Sequence, residues 1–200
     1  MSVEGARPAP GPVVIRRAEP DDAVAIAELQ DAANEGQLSK GVWGCEATDW
    51  RAVGARQIRK GRTEMALAAT LVASTGDGVV GMLNYAANDA PPDLDDPVSA
   101  PFVSLRGALG PCLYLRALAV RPSFGGRGIA TRLLDVATIA ADRVASGVIG
   151  VIVHESNGRL IGHYAGRGFA EVAREPVRSH VAYPPGSMLL ALRRTRREDA

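Results

Sequence analysis

The stretch that most constrains this chain is Leu113–Leu134, LYLRALAVRPSFGGRGIATRLL. Leu113–Val120 is an apolar run of strand length. Arg121–Gly128 follows as a turn holding Pro122, Gly125, Gly126 and Gly128. From Ile129 onward, Ile129, Leu133, Val136, Ala137, Ala140 and Val144 recur on one face of a helix. Buried strand, glycine turn and long helix, in that order, aim several unpaired backbone N–H groups and the positive end of a helix dipole at one point. Such a point binds phosphate. Gly126 and Gly128 let an anion approach the backbone closely, and Arg127 adds positive charge at the rim.

Two common phosphate-binding patterns are excluded. No Lys-Ser or Lys-Thr pair follows Gly128, so the turn is not a P-loop. The dinucleotide pattern G-x-G-x-x-G needs a third glycine near Thr131, and none is there. Downstream, Val148–Val153 is a second buried strand. Asn157 then opens a short helical stretch, with Tyr164 inside it and Gly168-Phe169 closing it. The first segment, with Val120-Arg121-Pro122 and Gly125-Gly126-Arg127-Gly128-Ile129-Ala130, resembles motif A of the GNAT acyltransferases. The second, with Asn157, Tyr164 and Gly168-Phe169, resembles motif B of the same family. The likeness is close over Leu113–Arg174 and loose elsewhere. One residue departs from the pattern: Gly125 stands where the family usually has Gln or Arg. The amide donors survive that change, and one side-chain contact is lost.

The resemblance implies a single α/β (α+β) domain whose mixed, mostly antiparallel sheet of about seven strands carries helices on both faces. It also implies acetyl-CoA as acyl donor, with no metal, and a primary amine of a small molecule, peptide or protein as acceptor. The CoA phosphates would meet Gly125, Gly126, Arg127, Gly128, Ile129, Ala130 and Thr131, with Arg167 in reach. The amide-rich pantetheine arm would pair like an added strand along Leu118, Ala119 and Val120 if the two central strands splay, as they do in the family. Asn157 matches a family residue that hydrogen-bonds the arm; as a residue it also suits a helix N-cap. Tyr164 matches the family's general acid to the departing thiolate; the plain alternative is a core aromatic.

The general base is not legible. Many GNAT enzymes use a Glu on the fourth strand, but Cys112–Val120 has no carboxylate, and its sole charge is Arg116. His154 and Glu155, Glu35 or Glu46, and the acidic run Asp93–Asp96 remain alternatives to an ordered water. Glu35, Trp43, Glu46 and Trp50 lie where the family lines its acceptor pocket; for the tryptophans, packing is an equal alternative. Arg116 either faces the acceptor cleft or runs out to the sheet surface.

Elsewhere the pattern is as follows. Met1–Pro12, rich in Pro, Gly and Ala, is expected to be a disordered tail, with the domain over 13–194 and a short tail over 195–200. Val13–Arg17 is a strand, and a helix runs from Pro20 to about Asn34. A second helix, capped by Thr48 or Asp49, runs to about Arg59. Met65–Ser74 and Val79–Tyr85 are strands joined through Asp77-Gly78, a hairpin signal. Asn88–Gly110, with many prolines, is expected to be a long loop over the acceptor side. Phe169–Arg174 and Ser187–Arg193 are the last strands.

Composition narrows the partners. A net charge of +1 favours neither nucleic acid nor membrane, and the absence of an 18-residue apolar run predicts no membrane span. Cys45 and Cys112 have no CxxC or His spacing, which predicts free thiols in a reducing cytoplasm and no metal site. The family resemblance leaves a homodimer open. Two rivals stand beside the enzyme: a non-catalytic acyl-CoA sensor, and a Rossmann-type nucleotide binder that the Asn157–Tyr164–Phe169 set disfavours.

Overall fold

In a computed structural model, residues 11–33, 36, 38, 39, 43, 49–60, 67–88, 100–144, 147–177 and 183–195 are described. Both expected tails lie almost wholly outside them, as do Glu35, Cys45, Glu46, Asp93–Asp96 and His180. Among the described residues seven strands form one sheet. They are β1 (Val14–Arg17), β2 (Thr70–Thr75), β3 (Gly78–Ala87), β4 (Leu113–Val120), β5 (Ile149–His154), β6 (Ala170–Pro176) and β7 (Met188–Arg194). Their spatial order is β1-β2-β3-β4-β5-β7-β6. Every neighbouring pair is antiparallel except β4 and β5, which run parallel. The long connection α4 (Ile129–Val144) is what a parallel pair requires.

Strand alternation sorts the core into two layers. Leu71, Ala73, Leu83, Val151, Leu190 and Leu192 face α4 and α5 (Gly158–Ala165), packing with Leu133, Ala137 and Tyr164. On the opposite face, Val72 and Met82 pack against α1 (Ala23–Ala33) and α2 (Trp50–Arg59). Leu189 and Ala191 on that face meet α3 (Ala100–Leu109). With both faces covered, β3 is a nearly continuous buried run.

Local chemistry sets the helix ends. The Asp49 carboxylate accepts from Ala52 N at 3.2 Å and caps α2. Ahead of α1, Asp22 accepts from Glu19 N at 2.8 Å and is held by both guanidinium nitrogens of Arg16 at 2.6 and 2.9 Å. Trp43 is buried, stacks on Trp50 with centroids 6.1 Å apart, and closes so tightly on Gly54 that a Cβ there would lie 2.9 Å from its ring. The packing role therefore holds for Trp43.

Two expectations are corrected. The segment expected as one long loop contains α3. Its signals were present: Pro101 in the first turn, Leu105 and Leu109 one turn apart, and Gly110 at φ +64° followed by Pro111. Asn88 holds its end, donating from Nδ2 to Arg106 O at 2.9 Å and Gly110 O at 2.8 Å. Gly150 makes room for α3, since a Cβ there would meet Leu109 at 3.0 Å and Cys112 Sγ at 2.9 Å. The second correction concerns β2, which starts at Thr70: Leu67–Ala69, expected as strand, form a 3-10 turn, and Met65 lies outside the described residues.

Candidate active site

The site begins with a break in register. Asn84 of β3 pairs with Ala117 of β4, and Tyr85 pairs with Leu115, so the ladder skips Arg116. One extra residue on β4 is a β-bulge, which bends and twists the strand. It also exchanges faces. Leu113 and Leu115 point toward α4 and α5, and beyond the bulge Leu118 and Val120 do so instead. Ala117 and Ala119 turn to the α1–α2 side. This places Arg116 at the bulge and accounts for a charge within an apolar strand.

At the same point β4 parts from β5. Their parallel pairing covers Leu113↔Ile149, Tyr114↔Gly150 and Leu115↔Val151 and then stops. The open wedge holds a cleft of about 560 Å³. Leu118, Ala119 and Val120 form one wall; Asn157, Arg159, Leu160 and His163 form the other; Gly125 and Ala130 close one end.

The turn between β4 and α4 is firmly anchored. Arg121 N donates to Val80 O at 2.8 Å, and its guanidinium donates to Val79 O at 2.9 Å and Glu28 Oε2 at 3.0 Å. Gly81 lets the first turn of α4 sit directly on the sheet, since a Cβ there would meet Ala119 O and Ile129 Cγ2 at 3.2 Å. Gly126 and Gly128 take φ of +75° and +72°, the region glycine adopts without strain, and the space beside each is open. Gly125 N donates to Pro122 O at 3.0 Å, and Arg132 N to Gly128 O at 3.0 Å. Between these, the amides of residues 126–131 meet no acceptor among the described residues. They form a cluster of free donors at a helix N-terminus, a geometry suited to an anion.

The expected cofactor residues separate into three groups. Leu118, Ala119, Val120, Gly125, Ala130 and Asn157 line the cleft. Gly126, Arg127, Gly128, Ile129 and Thr131 make the turn and the first helical turn; the Ile129 side chain is buried, so only its amide is available. The Arg127 guanidinium lies 5.0 Å over the Phe124 ring. Arg167 is committed within the protein: it donates to Thr131 Oγ1 and, at 3.2 Å, to His163 Nδ1.

Asn157 caps α5, accepting from Leu160 N at 3.2 Å, and lines the cleft as well. Tyr164 is 1% exposed and packs on Phe169 with ring centroids 5.0 Å apart. Burial pushes its phenol well above the ordinary value. Tyr164 sits behind the cleft wall, and its neighbour His163 lines it. Burial, then Arg167 and Arg159, hold the His163 imidazole below its ordinary pKa. Neither His163 nor Arg159 was singled out from sequence for the cofactor; the available signal was their spacing of four on one short helix, with Arg167 four further on, just past its end.

Both described base candidates have structural work. His154 Nε2 lies 2.9 Å from Ser187 Oγ, which itself donates to Pro184 O, and Ser156 N donates to His154 Nδ1 at 3.2 Å. The ring stacks on Tyr183 at 4.1 Å. Glu155 accepts from Met188 N at 2.8 Å. Cys112 is a buried free thiol, raised by burial. Among the described residues no group of His, Cys, Asp and Glu is arranged to hold a metal, and no helix is long and apolar enough to cross a membrane.

The sequence profile of the acetyltransferase (GNAT) family matches residues 37–169. The chain belongs to the GNAT acetyltransferase family. Solved structures share the GNAT fold along most of the chain. An N-acetyltransferase from Staphylococcus aureus Mu50 superposes with a TM-score of 0.65 at 18% identity, covering 90% of this chain and 99% of that one. A putative acetyltransferase from Salmonella typhimurium, solved with its cofactor acetyl-CoA, gives 0.59 at 18% identity, covering 94% and 96%. The NatC complex bound to Gag peptide and CoA gives 0.56 at 17% identity, covering 92% and 98%. A comparison with curated protein sequences finds no match.

Proposed function

We propose that this GNAT protein transfers the acetyl group of acetyl-CoA to a primary amine of a small molecule, peptide or protein. The observation that carries the proposal is the wedge beyond Leu115, whose cleft reaches Gly125 and Ala130 beside the unpaired amides of residues 126–131. CoA has the matching shape: an anionic pyrophosphate joined to a narrow, amide-rich arm. Charge-assisted hydrogen bonds from such amides are each worth roughly 1.5–3 kcal/mol. The edge of β4 left open by β5 offers backbone groups to the arm along Leu118–Val120, and an N–H there would hold the oxyanion that forms at the thioester carbonyl. The Salmonella structure with acetyl-CoA supports the choice of cofactor.

In the proposed step the neutral amine attacks the thioester carbon, a C–N bond forms, and the C–S bond breaks. The amine loses one proton and the CoA thiolate gains one. Tyr164 is the proposed donor to sulfur. Unperturbed values of roughly 10 for a phenol and 8.5 for a thiol already leave this transfer slightly uphill, and burial of Tyr164 raises its own value further.

The second reading is a non-catalytic acyl-CoA sensor. It is favoured by one observation: among the described residues lining the cleft there is no carboxylate. Release of CoA thiol from acetyl-CoA across a panel of amines separates the two. Release that depends on an amine, with the acetylated product seen by mass spectrometry, is the expected result. Acetyl-CoA binding without release for any amine would favour the sensor.

A further inference from the structure

We infer that His163 is a cofactor-binding residue, its Nε2–H donating to a phosphate oxygen of bound CoA. The inference rests on the proposed use of CoA and adds a residue to that site. Arg167 can only donate hydrogen bonds, so its Nη1, 3.2 Å from His163 Nδ1, makes Nδ1 the acceptor. The proton of the neutral ring then sits on Nε2. Burial, and then the neighbouring Arg167 and Arg159, favour that neutral state. Nε2 is shielded from water and meets no partner in the protein, so the donation requires the cleft wall to part around the ring as CoA enters. A buried donor in this condition is unfavourable until something accepts from it.

The surroundings identify the acceptor. His163 lines the cleft wall. The other branch of Arg167 donates to Thr131 Oγ1, which ties the imidazole to the first turn of α4. The amides of Ile129, Ala130 and Thr131 in that turn also lack acceptors. Arg159 lines the same wall. Donors and cations converge there without an internal acceptor, and the pyrophosphate is the part of CoA that supplies anionic oxygen. Arg167 is thus a positioning residue: it selects the tautomer and fixes the ring.

The test is calorimetric titration of CoA into the wild type, His163→Leu and His163→Gln, with melting curves to confirm folding. Gln can place an N–H near the Nε2 position, whereas Leu keeps bulk without a donor. The expected result is a Kd raised about 10- to 100-fold in H163L and largely restored in H163Q. Equal affinity in H163L, or an equal loss in both variants, would overturn the donor role while CoA binding itself stands. Failure of the wild type to bind CoA would overturn the proposed function and this inference together. ¹⁵N NMR of the imidazole in unsubstituted protein gives an independent readout. The proton is expected on Nε2, with its resonance moving on CoA addition; a proton on Nδ1, or an unmoved resonance at saturation, would contradict the inference.

Discussion

The two halves of β4 are made of similar residues and do different things. Leu113–Leu115 is flanked on both sides, by β3 and by β5, and its leucines are buried in the core. Leu118–Val120 is paired to β3 alone, and its other edge borders the cleft. Between them lies Arg116, skipped by the β3 ladder. The contrast teaches that apolar character does not separate a strand segment held in the core from one that borders a cleft. A single inserted residue does, by ending the register with β5 and exchanging the faces.

The sharpest way to break this comparison is to truncate one residue from each half. Leu115→Ala removes a side chain that is 1% exposed and is expected to destabilise by about 2–5 kcal/mol. The folded fraction should keep its CoA affinity. Leu118→Ala, at a half-buried position, should cost about 1 kcal/mol or less and weaken CoA binding instead. Chemical denaturation and titration of both variants would reveal equal effects if the halves do not differ.

Gly128→Glu tests the turn that the open half leads into. A side chain at φ +72° is strained, and a carboxylate would repel the phosphates. CoA affinity is expected to fall by at least about 100-fold; unchanged affinity would remove the turn from the site. Tyr164 belongs to the closed half by packing and to the open half by its proposed chemistry. Tyr164→Phe preserves the ring and removes the hydroxyl. Turnover should drop by about 10²-fold with little change in affinity, while a mere packing role would leave turnover intact.

The smallest effect lies away from the cleft. The Asp22 carboxyl is held below its ordinary pKa chiefly by its hydrogen bonds from Arg16. A depressed carboxylate contributes stability that is complete above its unfolded pKa, about 3.9. That stability is lost as pH falls from there through the folded value. Stability of the wild type should therefore decline below about pH 4 more steeply than that of Asp22→Asn. Identical acid profiles from denaturant titrations would contradict the assignment.

How much of this was legible depended on whether the signal was local. The order of strand, glycine turn and helix over Leu113–Leu134 was readable because turn chemistry and periodicity act within a few residues. α3 was obscured because the surrounding prolines read as loop, although Pro101 and Gly110 marked its ends. Arg116 was visible as an anomaly, but its place at a bulge depends on the ladder that skips it between Asn84 and Tyr85, about thirty residues away in sequence. His163 was hidden for the same kind of reason. Its importance lies in an orphaned nitrogen and in Arg167 reaching across to Thr131, neither of which is a spacing.

The most direct test of the central claim is titration of acetyl-CoA into the wild-type protein, with NAD as control. Saturable binding at one site per chain, without NAD binding, is the expected result. A folded protein that takes up neither acetyl-CoA nor CoA would contradict the account, because the open half of β4 and the free donors beside it would then have no ligand to explain them.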